Sequence, residues 1–180
     1  MKCEITLSAN SRFHDYGHAL EVLENTKKIL QTEEGDEDVL FTAALFHDVS
    51  NENGSHEGQD GAKITEQILT NTPEFPQNKI EDVCRLIKSV SGEAINRDEL
   101  IINEADRMAV FSKLSLIRGF MIYAQRGLQP KAAIEDFIKL IDKKYQHFKI
   151  EKARKFIEDD YQFIKTFLTD ASKLYPSNHH

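Results

Sequence analysis

The apolar residues of this chain recur at helical spacing from one end to the other, and no stretch alternates as a strand bounded by turn signals does. Leu20, Leu23 and Leu30, with Ala19, Val22 and Ile29 beside them, predict a helix over about 16–32. Gly35 follows, and Asp36 is placed to cap a second helix. Val39, Leu40, Ala43, Ala44 and Phe46 make that second helix almost wholly apolar, so it should be central. A third helix is expected from His56 to Asn71, ended by Pro73 and Pro76. Ile80, Val83, Cys84, Ile87 and Val90 give a fourth. A fifth, with Asp98 as its expected cap, carries Ile101, Ile102, Ala105, Met108 and Val110. Pro130 opens a further helix through Ile141, and one long helix is expected from Ala153 to Leu168. The fold class is therefore all-α, a helical bundle.

With 180 residues the chain is expected to form one domain, residues 1–180, with a substantial core. Hydrophobic residues make up 40% and charged residues 29%. The net charge of −7 argues against a broad nucleic-acid face, which needs a basic patch. It leaves small anionic substrates open, because a bound metal supplies positive charge that the count omits. The longest apolar run, Val39 to Phe46, is too short to span a bilayer, so no membrane partner is expected. The N-terminus is too polar for a signal peptide. Cys3 and Cys84 make no disulfide scaffold, so a reducing interior, the cytoplasm, is the simpler expectation. His179 and His180 read as a tail, native or from a tag. The last helix, with Phe156, Phe163 and Phe167, either covers the core or forms a homodimer interface.

Polar residues interrupt the helical pattern at three places: His14-Asp15-Tyr16-Gly17-His18, Phe46-His47-Asp48-Val49 and Glu104-Ala105-Asp106-Arg107. Each has an ordinary structural use on its own. A lone His18 is commonly a satisfied, half-buried histidine; Asp48 can cap a turn; Asp106 beside Arg107 can be a solvated pair. Together they suggest a metal site, because buried imidazoles and carboxylates need something to offset their desolvation. His14 and His18, four apart, share a helical face. His47 and Asp48 are adjacent, and only the turn of backbone at a helix end lets both converge on one ion. Nitrogen and oxygen ligands of this kind suit Mn, Fe, Zn, Ni or Co, and Mg less well.

The order and context of these segments resemble the HD superfamily of metal-dependent phosphohydrolases. Phe13 to Val22 is similar to that group's opening motif, and Ala43 to Val49 to its signature helix. His56-Glu57 followed by Gly61-Ala62 resembles the next helix start, and Glu104 to Met108 the late aspartate segment. The motifs cover about residues 11–118, with C-terminal helices over 130–175 completing the bundle. The resemblance implies a divalent ion held by His18, His47, Asp48 and Asp106. It further implies that His14 protonates the leaving oxygen, and that His56 and Glu57 contact substrate or a second metal, Glu57 taking part in catalysis. Many members carry a further histidine on the fourth helix. Here the segment reads Lys88-Ser89-Val90-Ser91, which favours one ion per chain.

The implied chemistry is attack of a metal-activated water, whose pKa falls from about 15.7 to near 7 in favourable cases. Asp106 or Asp48 would orient that water. Lys63 and Arg107 are the cations placed to balance phosphoryl charge. The expected substrate is a small phosphorylated metabolite, with a nucleotide first: monoester, cyclic diester or pyrophosphate. Two other readings use the same residues, a di-iron oxygenase of HD type and a non-catalytic nucleotide-sensing module. Phe120, Met121 and Tyr123 are expected in the core. The acidic run Glu33 to Asp38 is expected as a solvated turn that lacks the spacing of a calcium loop.

Overall fold

The computed structural model describes residues 16–50, 58–90 and 92–175. Among them the regular structure is helical, with no strand: α1 (Tyr16–Leu30), α2 (Glu37–Phe46), α3 (Gly58–Thr70), α4 (Ile80–Ser89), α5 (Arg97–Ala109), α6 (Lys113–Gln125), α7 (Pro130–Gln146), α8 (Glu151–Phe156) and α9 (Glu158–Ser172). The chain divides into two compact units, residues 1–106 and 107–180.

In the first unit α2 packs against both α1 and α4, and α3 lies along α4. Val39, Leu40, Ala43 and Ala44 are fully or nearly fully buried, which places α2 at the centre as its all-round apolar sequence predicts. Asp36 caps it, accepting from the Val39 amide at 3.3 Å. Asp36 and Asp38 also both accept from Lys79 at 2.8 Å, so the acidic run is a tethered inter-helix turn.

The fifth helix starts differently from expectation. Asn96, not Asp98, caps α5, accepting from the Glu99 amide at 3.0 Å. Glu99 reaches back to accept from the Ile95 amide (2.9 Å), the Asn96 side chain (3.0 Å) and Arg85 (2.8 Å). This reciprocal arrangement satisfies helix-end donors that Asp98 could not reach. Cys84 is buried, as its position on the apolar face of α4 suggests.

In the second unit α6 and α7 form a hairpin through Gly127, whose φ of 76° is the left-handed conformation that favours glycine. α6 has no counterpart among the helices expected from the spacing. Phe120 and Tyr123 pack on Phe137, as core residues should, but Met121 is half exposed, contrary to the expectation that it is buried. α7 and α9 run antiparallel, with Tyr145 stacked on Tyr161 and Asp142 accepting from Lys165 and Tyr161. The single long C-terminal helix expected from Ala153 is two helices. The chain breaks at Ile157, and the acidic first turn of α9 (Glu158, Asp159, Asp160) starts a new helix with a favourable dipole interaction.

Candidate metal centre

Three helices bring four potential ligands together. His18 comes from the first turns of α1. His47 is the C-cap of α2 and Asp48 lies in the turn that follows, so the bend of backbone at this helix end lets two adjacent side chains face one point. Asp106 comes from α5. His18 Nε2 lies 3.2 Å from His47 Nε2, 3.5 Å from Asp48 Oδ2 and 3.2 Å from Asp106 Oδ1. His47 Nε2 lies 3.2 Å from Asp48 Oδ2 and 3.8 Å from Asp106 Oδ1. The two imidazoles meet edge to face.

The donor set fits a divalent ion. The His47 Nδ1–H donates to the Ala44 carbonyl at 2.8 Å, which leaves the Nε2 lone pair directed at the other three groups. Ligand atoms sharing one ion at about 2.0–2.2 Å stand roughly 3–3.5 Å apart, close to the spacing of this cluster. The ligand atoms of His18, His47 and Asp48 all lie within 4.8 Å of one another. In the metal-free protein a proton fills part of this role. Burial opposes charge on His47, but the Asp48 and Asp106 carboxylates outweigh it and push the imidazole up to about 9.

Two supports were not apparent from the sequence. Asn25, buried and two turns beyond His18 on α1, donates to the Ala105 carbonyl at 3.1 Å and so ties α1 to the residue before Asp106. Its signal was a polar side chain amid Ala19, Val22, Thr26 and Ile29 on the buried face of α1. Gly61 on α3 faces the segment after Asp48. A Cβ there would sit 3.2 Å from Ser50 Oγ and 3.7 Å from a Val49 methyl, so glycine permits α3 to approach this turn closely.

Lys63 and Arg107, the two cations read as phosphate contacts, each have a partner among the described residues. Lys63 is exposed and pairs with Asp60 at 3.2 Å. Arg107 donates to the His147 carbonyl at 3.1 Å, and its guanidinium sits 5.6 Å from the centre of the Phe148 ring. His14, His56 and Glu57 lie outside the described residues.

The sequence matches the HD domain over residues 15–110, and the chain belongs to that family. HD domains bind divalent metals, and His18, His47 and Asp48 form a possible site for one. No curated protein matches the sequence. Solved structures of the same fold include the Lin1889 protein of Listeria innocua, at 25% identity and a TM-score of 0.72, covering 89% of this chain and 87% of that one. Bacillus subtilis YpgQ, solved in complex with ADP, is similar at 18% identity and a TM-score of 0.73, with 91% of each chain covered. An HD-superfamily hydrolase of Bacillus thuringiensis is similar at 20% identity and a TM-score of 0.70, covering 89% of this chain and 85% of that one. No described helix is long and apolar enough to cross a membrane.

Proposed function

We propose that this chain is a metal-dependent phosphohydrolase acting on a small phosphorylated metabolite, a nucleotide first among them. One observation carries the reading: the Nε2 atoms of His18 and His47 lie 3.2 Å apart, and each lies 3.2–3.8 Å from an oxygen of Asp48 and of Asp106. His18, His47, Asp48 and Asp106 are proposed to hold one divalent ion per chain, of the Mn, Fe, Co, Ni, Zn or Mg group. When bound, the ion supplies charge for phosphoryl oxygens and an acidified water.

The chain's own residues do the rest. Ala44 fixes the tautomer and orientation of His47. Asp48 and Asp106, both partly exposed, have acceptor oxygens to orient a water and take its proton. His14 is proposed to deliver a proton to the leaving oxygen, and His56 and Glu57 to contact substrate, on the strength of their motif positions alone. The nucleotide preference is supported by the chemistry of the donor set and by the fold shared with YpgQ, whose structure holds ADP. The proposed setting is a reducing interior, with no nucleic-acid polymer or membrane as partner.

The test is a panel of nucleoside mono-, di- and triphosphates, cyclic nucleotides and simple phosphate esters, incubated with metal-loaded protein. Phosphate or pyrophosphate release by the wild type, lost in a folded Asp106→Asn variant, is the expected result. Turnover of nothing on the panel by metal-loaded protein would overturn it. Tight nucleotide binding without turnover would replace hydrolysis with sensing.

A further inference from the structure

The second unit presents an apolar face that its own core does not use. α6 runs antiparallel to α7, and α7 antiparallel to α9, so α6 and α9 lie parallel. Lys113 at the start of α6 pairs with Asp160 at 3.2 Å and sits 5.4 Å from the centre of the Phe163 ring, which sets the two helices side by side. Leu114, Ile117 and Met121, at positions i, i+3 and i+7, share one face of α6. Phe163 and Phe167, at i and i+4, are stacked on each other along α9. All five are between 45% and 58% exposed, while Ile164 and Leu168 on the other side of α9 are fully buried.

Five large side chains about half exposed present roughly 500 Å² of apolar surface, taking about 200 Å² for each when fully exposed. A stable interface buries about 800 Å² per partner, and homodimer interfaces are about 65% apolar. The face therefore has the apolar content of one side of a homodimer.

Charge does not compete for this face: Lys113 pairs with Asp160 within one copy, and Arg118, the other basic residue of α6, is buried. A two-fold axis through the face sets its five apolar side chains against the same five of a second copy. We infer that this chain self-associates through the α6–α9 face, as an isologous dimer.

Sedimentation equilibrium on the full chain, from about 1 to 100 µM, tests it. The wild type is expected to sediment as a dimer. Ile117→Asp on α6 and Phe167→Asp on α9, each with helical circular dichroism unchanged, are expected to weaken the dimer at least about 30-fold, the loss typical of a central interface side chain. Should either aspartate variant fail to fold, the Ile117→Ser/Phe167→Ser double variant gives the same reading. A wild type that stays monomeric at the highest concentration overturns the inference, as does a dimer that folded variants leave intact.

Discussion

The Asn25 amide donates to the carbonyl of Ala105 at 3.1 Å, one residue before Asp106, and so links the helix that carries His18 to the helix that carries the late aspartate. The bond is buried and spans 80 residues of sequence. Such a contact sets the approach of two ligands without touching the ion. Asn25→Leu is expected to cost about 1–2 kcal/mol of stability, the range for a buried hydrogen bond. It should also weaken metal binding by about 10-fold, since groups that orient ligands tune affinity on that scale. Urea unfolding and calorimetric metal titration check the two effects separately. Unchanged metal affinity with lowered stability would make Asn25 a structural residue only.

The raised pKa of His47 makes the metal-free protein pH-sensitive. The imidazole moves from an ordinary value of 6.5 to about 9 on folding, because Asp48 and Asp106 stabilise its charged form. A group raised in this way contributes stability that is fully present below about pH 6.5 and is lost as pH rises through about 9. The contribution is on the order of 3 kcal/mol. Urea unfolding in chelator at pH 6.5 and at pH 9.5 should show that loss in the wild type and a much smaller one in His47→Gln. Metal requires the neutral ring, so binding at pH 7 should release a proton. Calorimetry in buffers of different ionisation enthalpy reads that proton directly.

Gly119 packs directly against a buried ring of the second unit. A Cβ there would lie 2.2 Å from the Phe137 ring, which is buried and stacked on Phe120. Alanine normally favours a helix over glycine by about 1 kcal/mol. Here the clash should win, and Gly119→Ala is expected to destabilise the protein by about 1–3 kcal/mol, the usual cost of overpacking. A rise in thermal midpoint would show that the ring gives way.

Most of the helices and the three polar interruptions were legible because both follow from local spacing. Val39 to Phe46 could only be a buried helix, and His47-Asp48 could converge only at its end. What local spacing misses are long-range partners. Glu99 settles the start of α5 through Arg85, a residue of α4, so Asp98 was an equally good cap until the two helices were side by side. The break at Ile157 escaped notice because Ala153, Phe156, Ile157, Tyr161 and Ile164 keep an apolar rhythm across it. α6 was missed because its apolar residues lie on nearly every side: Phe120 and Tyr123 face Phe137 while Leu114, Ile117 and Met121 face outward. Asn25 needed Ala105, 80 residues away, to gain a meaning.

The central claim is that His18, His47, Asp48 and Asp106 hold a divalent ion. Elemental analysis of protein freed of its histidine tail, wild type beside Asp48→Ala, tests it most directly. The tail must go because it binds metal itself. About one transition-metal ion per chain in the wild type, lost in a folded Asp48→Ala variant, is the predicted result. Two ions per chain would point to a second metal site and revive the oxygenase chemistry. No metal in the wild type, even after divalent ions are added back at pH 8, would contradict the account.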